Sequence, residues 1–357
     1  MAPYVELHCH SCFSFLDGAS SPLEIASRAA ELGYPAIGLV DHDGIWGSME
    51  FAVACKGAGV KAITGAELSV SLRGRIFHLT LLVENATGYA NLCRLLTEAH
   101  RHTRDDPSRR ASQPSVPLEA LPEHAEGLVC LSGCAGRGLV SSAWADGDLG
   151  HGARLARQLR ETFGPENFRI ELQRPYWRHD RARNRWLDDL AHSLDVPAVA
   201  TGNVHSHSSE RSRLQDVLVA VRLGSSMEGS EPRRRGNSSS ALASPEQMAN
   251  RFAQYPEAVA ESASLAERLN FDLEKQLGYR YPQSDDPSAD KDLAQLTGTR
   301  IVERYRGTPE EAEAGRRLEN ELKIIRGLGL SGFFLLHHDL LELARDVAAE
   351  VRGPTSA

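Results

Sequence analysis

Histidine and acidic side chains of the kind that bind divalent metals recur over the first 205 residues of the chain. Imidazole and carboxylate groups are common ligands of zinc, manganese and iron in proteins. A pocket that gathers such ions typically activates water for the hydrolysis of a phosphate ester. The residues that suggest this chemistry are His8, His10, His42, Glu67, His78, Asn203 and His205.

These side chains lie at or near short apolar segments that predict β-strands. Successive side chains of a strand alternate between its two faces, so His8 and His10 point to the same side, roughly 7 Å apart. His42 directly follows one apolar segment, and Glu67 ends another. In (β/α) barrels the carboxyl ends of the strands form the active site, so we expect these ligands to converge there.

Several cysteines and one histidine leave alternatives open. His78 stands at the start of its predicted strand, so a core histidine bonded to a backbone carbonyl is an equal alternative. Cys134 follows a fifth strand, where a small buried residue is the usual interpretation. Cys9-x-x-Cys12 has the spacing of half a zinc site or of a redox pair. The spacing of Cys130 and Cys134 does not match it, and we expect Cys9 to face the core.

The order of the predicted elements indicates an α/β fold. Strands that alternate with helices favour a parallel, closed or nearly closed (β/α) barrel with one unit fewer than the usual eight. Seven strands are predicted, at 5–8, 36–41, 61–68, 76–83, 128–131, 168–172 and 198–201. Helices are predicted near 22–33, 46–56, 89–100, 149–162, 180–193 and 208–221.

The character of the sequence changes after residue 223. Residues 224–245 are rich in Ser, Arg and Gly, which is typical of a flexible insertion or linker. Helices are predicted beyond it, near 245–269, 293–305, 309–326 and 333–351. The predicted domains are therefore a barrel over 1–223, a linker over 224–245 and a helical region over 246–357.

The composition limits the classes of protein to which this chain can belong. A hydrophobic content of 41% and a charged content of 25% are ordinary globular values. The net charge of −8 argues against a globally basic nucleic-acid binder, so a DNA partner would need a local basic groove. The chain has no apolar segment of membrane-spanning length and no signal-peptide pattern at its start. We therefore expect a cytoplasmic protein whose six cysteines are reduced and which has no membrane partner.

Taken together, these residues resemble the polymerase and histidinol phosphatase (PHP) superfamily of metal-dependent phosphoesterases. The resemblance covers residues 4–222. It implies a distorted seven-stranded (β/α) barrel that holds two or three divalent ions, with zinc, manganese or iron preferred and magnesium as an alternative. The metal ligands that it implies are His8, His10, Asp17, His42, Glu67, His78, Cys134, Asn203 and His205. The residues that would act in catalysis through these ions are His8, His10, His42, Glu67 and His205.

More narrowly, the chain resembles the N-terminal part of bacterial C-family DNA polymerases, in particular the error-prone branch of the alpha subunits. Residues 13–20, 37–44, 127–133 and 197–205 are similar, and 316–351 resembles the entry to the polymerase palm. The resemblance implies a part in DNA replication or repair and a 3′→5′ exonuclease activity on the 3′ end of a DNA primer. Other replication or translesion proteins are further expected partners. The family's polymerase aspartates lie beyond residue 357, so we expect no polymerase active site here.

Asn203 departs from the family pattern, which has an aspartate at this position. A neutral amide is a poorer ligand than a carboxylate for a divalent ion, so one metal position is expected to be weak or empty. Two alternatives to the exonuclease therefore stay open. One is a stand-alone phosphatase acting on a small phosphomonoester, and the other is a non-catalytic domain that bound ions stabilise.

Overall fold

The computed structural model describes residues 4–103, 113–277 and 286–352 of the chain. By internal contact the chain divides into two compact units, Met1–Leu277 and Gly278–Ala357. The domain limits expected from composition, 1–223, 224–245 and 246–357, stay predictions. In the part of the chain that the structure describes, no helix is both long and apolar enough to cross a membrane.

The first unit is built around one curled, mixed sheet. Its strands are β1 (Ala36–Leu39), β2 (Lys61–Leu72), β3 (Arg75–Val83), β4 (Val116–Pro117), β5 (Leu128–Leu131), β6 (Phe168–Gln173) and β7 (Ala198–Thr201). The order across the sheet is β1-β2-β3-β5-β6-β7, and the short β4 pairs with β2. The expected α/β class is confirmed, and a helical region follows the sheet in the sequence.

Helices occupy the connections between most strands and the region that follows them. They are α1 (Pro22–Glu31), α2 (Ser48–Gly57), α3 (Ala86–His100), α4 (Ser142–Asp146), α5 (Leu149–Phe163), α6 (Asp180–Ser193), α7 (Ser212–Leu223), α8 (Met227–Ser230), α9 (Pro245–Arg251), α10 (Pro256–Arg268), α11 (Ala289–Tyr305), α12 (Glu311–Gly327) and α13 (Ser331–Arg352). Single-turn 3₁₀ helices lie at Leu118–Ala120, Pro122–His124, Pro165–Asn167, Ser209–Arg211 and Glu231–Arg233. Each helix predicted between strands therefore exists, within a few residues of its predicted limits.

The sheet is not parallel throughout, and the expectation that a helix follows every strand is wrong for β2. Strands β2 and β3 form an antiparallel hairpin, and β3 also pairs antiparallel with β5. The hairpin turns at Arg73 and Gly74, whose φ angles are 51° and 75°. Positive φ at both residues of a two-residue turn matches the twist of the flanking strands. β2 also runs to Leu72, beyond the predicted end at residue 68.

The predicted first strand, 5–8, is present only as isolated bridges, but it still closes the ring of strands. Glu6 bridges Ile37 of β1, and Cys9 bridges Val204, which follows β7. The backbone N–H groups of His10 and Val204 donate to the carbonyls of Val204 and His8 respectively, each over 2.8 Å. The N-terminal segment therefore lies between β1 and the end of β7 and takes the seventh position of a distorted barrel.

An apolar cluster fills one part of the barrel interior. Val5, Leu7 and Ile63 belong to it and are buried, and Ala266 of α10 belongs to the same cluster. Ser262 of α10 also accepts a hydrogen bond from the backbone N–H of Val5 over 3.1 Å. Burial of this apolar surface is what anchors α10 to the barrel.

The single helix predicted over 245–269 is divided into α9 and α10. Ser244 caps α9 through a reciprocal hydrogen-bonded box with Gln247. The break lies between Arg251, the last residue of α9, and Pro256, the first residue of α10. Proline has no N–H to donate and disfavours a helical conformation in the preceding residue, so the first helix cannot continue through it.

The second unit consists of α11, α12 and α13. The hydroxyl of Ser331 at the start of α13 donates to Asp290 of α11 over 2.6 Å, and Arg326 of α12 lies 3.4 Å from the same carboxylate. The spacing of Leu318, Leu322, Ile325 and Leu328 predicts one apolar helical face; the first three are half-buried, whereas Leu328 follows the end of α12 and is exposed. Helices in this part of the chain were expected from the sequence.

The buried carboxylate of Glu6 ties the N-terminal segment to the end of β7. It accepts hydrogen bonds from the backbone N–H of His8 over 2.9 Å and of Gly202 over 2.9 Å, and from the hydroxyl of Tyr4 over 2.7 Å. We expect Glu6→Ala to lower the free energy of unfolding by about 2–4 kcal/mol, because it leaves buried donors without acceptors. Urea denaturation measures this. The control Glu31→Ala removes an exposed ion pair with Arg28 and should cost about 0–1 kcal/mol. Equal losses in the two variants would contradict the assigned role.

Candidate metal centre

The strand reversal explains how His78 joins the other predicted ligands. His42 follows β1 and bridges Glu67, which lies inside β2 rather than at its end. Because β3 runs antiparallel to β2, His78 near the start of β3 pairs with Ser69, two residues beyond Glu67. The start of β3 therefore lies at the same edge of the barrel as the carboxyl ends of the parallel strands. The departure of His78 from the sequence pattern is a consequence of this topology.

Glu67 is the point at which the histidines meet. Its Oε2 lies 2.9 Å from His42 Nδ1, 3.1 Å from His78 Nδ1 and 3.6 Å from His10 Nε2. Its Oε1 lies 3.4 Å from His8 Nε2 and has no hydrogen-bond partner among the described residues. The Glu67 side chain is only 1% exposed. A buried carboxylate surrounded by four imidazoles from three parts of the chain is therefore the centre of this site.

Potential ligand atoms group into overlapping sets. In each set, one atom from each of three residues lies within 4.8 Å of the others. The sets are His8, His10 and Glu67; His42, Glu67 and His78; and His10, His42 and His205. Because the sets share residues, they form one continuous cluster. That cluster contains every residue predicted to act in catalysis through bound ions.

Three further predicted ligands lie at the edge of this cluster. Asp17 Oδ2 is 3.2 Å from the Nε2 atoms of both His42 and His205. Cys134 Sγ is 3.9 Å from His78 Nδ1. Asn203, with φ of 49°, donates from its side-chain amide to Gln173 over 3.3 Å. The Asn203 Oδ1 atom is buried and has no hydrogen-bond partner in the described part of the chain.

A cavity of about 390 Å³ opens onto these groups. Asp17, His42, Glu67, His78, Cys134, Asn203 and His205 line it. His8 and His10 are completely buried next to Glu67. The structure therefore brings all nine predicted ligands around one pocket.

Glu171 of β6 is a supporting residue that the sequence analysis missed. Its Oε1 accepts hydrogen bonds from His8 Nδ1 over 2.6 Å, from Thr201 Oγ1 over 2.5 Å and from Gln173 Nε2 over 2.8 Å. The hydrogen bond from His8 Nδ1 to Glu171 leaves the other ring nitrogen of His8, Nε2, facing Glu67. The sequence does contain a signal for Glu171. Polar and apolar residues alternate in Phe168–Gln173, which places Arg169, Glu171 and Gln173 on one face of the strand.

Serine side chains and backbone hold the two aspartates that flank His42. Asp41 accepts from the backbone N–H of Ser11 over 2.7 Å and from the hydroxyl of Ser14 over 2.6 Å. Asp43 accepts from the backbone N–H of Ser69 over 2.7 Å and from its hydroxyl over 2.8 Å. The loop that carries His42 is thus fixed at both of its aspartates.

The charges of the cluster shift its ionisation strongly. Burial alone would raise the pKa of Glu67, but the neighbouring His78, His42 and His8 outweigh it and hold that pKa well below its usual range. Burial would likewise lower the pKa of His8, but Glu171 and Glu67 raise it to about 10. The pKa of His42 rises to about 10, because Glu67 and Asp17 outweigh its burial. Burial and the charge of Arg235 lower the pKa of His205 to about 4.

We expect His8 and His42 to be imidazolium ions at neutral pH in metal-free protein. Their folded pKa values of about 10 exceed the ordinary value of 6.5. Their stabilising effect is therefore complete below pH 6.5 and is lost as the pH rises through about 10. Imidazole NMR titration in EDTA measures these pKa values, and thermal melts over the same range measure the stability. Glu67→Gln should bring the pKa of His42 back toward 6.5. Titration of His8 and His42 near 6.5 in the unsubstituted chain would refute this arrangement.

Comparison with known families supports the resemblance drawn from these residues. Residues 6–175 match the family model of the PHP domain. This part of the chain is a PHP domain. The predicted membership of that superfamily is confirmed.

Relatives match the chain along nearly its whole length. An "Error-prone DNA polymerase" of Symbiobacterium thermophilum is 37% identical over 368 residues, covering 99% of this chain and 33% of that protein. The "DNA polymerase III subunit alpha" of Treponema pallidum is 32% identical over 360 residues, covering 96% of this chain and 30% of that protein. The chain thus spans about a third of the length of these relatives. The expected similarity to bacterial C-family polymerases is confirmed.

A solved structure is also similar to the PHP domain. It is a two-domain protein from Bacteroides vulgatus that contains a predicted PHP-like metal-dependent phosphoesterase. The identity is 14%, the TM-score is 0.37, and the match covers 57% of this chain and 52% of that one.

Proposed function

We propose that this chain is the PHP region of an error-prone, DNA polymerase III alpha-like subunit in DNA replication or repair, and that its site acts as a metal-dependent 3′→5′ exonuclease. The observation that carries the proposal is the buried Glu67 carboxylate with its surrounding histidines. The names of the relatives support the DNA context, and the clustered imidazole and carboxylate donors support metal-dependent hydrolysis. Primer 3′ ends, other replication or translesion proteins and a cytoplasmic location belong to the same proposal.

The donor set fits divalent metal ions. Glu67 Oε1 and Asn203 Oδ1 are buried oxygen atoms without hydrogen-bond partners among the described residues. A buried polar atom without a partner is costly, and a bound cation satisfies such an atom. The imidazoles favour zinc or iron over magnesium, and the carboxylates of Asp17 and Glu67 also suit manganese. The residues that would hold two or three ions are His8, His10, Asp17, His42, Glu67, His78, Cys134, Asn203 and His205.

Bound ions and the residues of the chain would have different roles in the reaction. Bound divalent ions supply an acidified water and neutralise charge on the phosphate in hydrolysis. Glu171 orients His8, and the hydroxyl of Ser14, 3.2 Å from His10 Nδ1, orients His10. Glu67 presents two oxygens to the histidines on either side of it. Complete burial of His8 and His10 keeps bulk water from their ring nitrogens.

Asn203 favours a second candidate function, a metal-stabilised domain without catalysis. Its neutral amide supplies less negative charge to the pocket than a carboxylate would. A stand-alone phosphatase on a small phosphomonoester is the other alternative. Similarity to long polymerases over 99% of the chain supports it less than a polymerase-associated role.

The proposal predicts that purified, manganese-loaded protein shortens a 3′-recessed DNA. We expect Glu67→Gln and His8→Ala to lower the rate by at least about 100-fold, because each removes a central ligand. Denaturing gels of labelled DNA measure shortening, and elemental analysis of the same samples measures bound metal. Glu31→Ala, on the exposed side of α1, is the matched control and should keep the full rate.

The outcomes separate the three candidate functions. Turnover of p-nitrophenyl phosphate without DNA shortening would favour the phosphatase. Bound metal without any turnover would favour the non-catalytic domain. A chain that shortens DNA equally well with and without Glu67 would contradict the proposed site.

A further inference from the structure

One wall of the metal pocket is basic. Arginine side chains that line the cavity are Arg137, Arg222, Arg233, Arg234 and Arg235. The carboxylates that line it are Asp17, Asp43 and Glu67. Ser69 binds Asp43 and the histidines surround Glu67, while Asp216 pairs with Arg234 over 3.0 Å. The segment 222–235 thus supplies most of these arginines. Much of this segment falls within 224–245, which was expected from its composition to be a flexible linker.

Two of these arginines contact residues proposed as metal ligands. Arg235 Nη2 lies 2.5 Å from His205 Nε2 and 3.5 Å from Asp17 Oδ2. Arg222 Nη1 lies 3.2 Å from Asp17 Oδ1. An imidazole nitrogen has a single lone pair in the ring plane, so His205 Nε2 cannot accept from Arg235 and ligate an ion together. With an ion at His205, Arg235 would lose that contact and keep the longer one to Asp17, and its guanidinium would be available to another anion in the cavity.

An exposed indole stands next to these arginines. Trp177 lines the same cavity and is 38% exposed. Its Nε1–H donates to the carbonyl of Arg235 over 3.4 Å. Its own backbone N–H donates to Asp180 over 2.9 Å, which holds the loop that carries it. The indole is thus fixed at the wall of the pocket with part of its surface free.

An aromatic side chain beside arginines is the combination that binds unpaired nucleotides, because every base has a face that stacks. A cavity of about 390 Å³ is at the small end of ligand pockets and suits one nucleotide rather than a duplex. We propose that Trp177 and Arg235 determine specificity for the terminal nucleotide of a single DNA strand. The indole stacks on the base, and the released guanidinium binds the phosphate. The inference deepens the proposed function and rests on it.

Binding of a fluorescein-labelled oligothymidylate to manganese-loaded protein tests this directly. Phosphorothioate linkages slow cleavage, and fluorescence anisotropy at several salt concentrations gives the affinity. We expect Trp177→Ala to weaken binding about five- to 150-fold and Trp177→Phe to keep most of the affinity. Arg235→Ala should lower the slope of log affinity against log salt by about 0.7.

Two matched controls come from outside this wall. Trp46 is 52% exposed and packs against His100, and Arg75 pairs with Asp146 on the surface. Trp46→Ala and Arg75→Ala should each change binding less than twofold. Loss of binding in the controls as large as in Trp177→Ala would overturn the inference. So would an unchanged affinity in Trp177→Ala, or no binding by the unsubstituted chain.

A parallel cleavage assay separates this inference from the proposed function. If the chain binds the strand through Trp177 but shortens no unmodified DNA, the exonuclease proposal fails and the specificity site stands. If Trp177→Ala shortens DNA with the same KM as the unsubstituted chain, the specificity site fails and the exonuclease proposal stands.

Discussion

The structure depends on one buried interaction, the Glu67 carboxylate among imidazoles that come from distant parts of the sequence. A buried carboxylate without charge compensation is strongly unfavourable. Contacts with His42, His78 and His8 supply that compensation and hold the pKa of Glu67 below its usual range. Glu171 and Glu67 together raise the pKa of His8 to about 10, and Glu67 and Asp17 raise that of His42 to about 10. Bound divalent ions would supply the positive charge that the protonated His8 and His42 supply in the metal-free chain. The site is therefore arranged for cations before any ion binds.

The fold positions this cluster through two departures from a regular (β/α) barrel. Reversal of β3 brings His78 to the edge where Glu67 lies. The N-terminal segment joins β1 to the end of β7 and carries His8 and His10 between them. Glu6 secures this closure by accepting from backbone N–H groups on both sides. Helix α10 packs against the same segment, because its Ala266 shares an apolar cluster with Val5 and Leu7.

Much of the site could be predicted because the residue types of the ligands indicate their chemistry. The residues around the ligands could not, because their positions depend on the topology of the fold. Strand alternation predicted that His8 and His10 share one face, and the position of Glu67 at the end of an apolar segment predicted that it joins them. The hairpin was not predicted, because Arg73-Gly74 is a weaker turn signal than Asn-Gly and the strand was predicted to end at residue 68 rather than at Leu72. Arg233, Arg234 and Arg235 fall within 224–245, which was taken for a linker because Ser/Arg/Gly composition is typical of one. Only tertiary contacts reveal that Arg235 reaches His205.

We propose that the pocket has two tasks: its imidazoles and carboxylates hold cations, and its arginines recognise an anionic strand end. The central claim is that ions gather at Glu67. Anomalous diffraction at the manganese absorption edge, from crystals of the chain grown with Mn²⁺, tests it most directly. The account predicts at least one strong peak about 2.0–2.2 Å from a Glu67 oxygen, with imidazole nitrogens completing its shell. Manganese-loaded crystals in which every anomalous peak lies away from Glu67, or in which none is found, would contradict it.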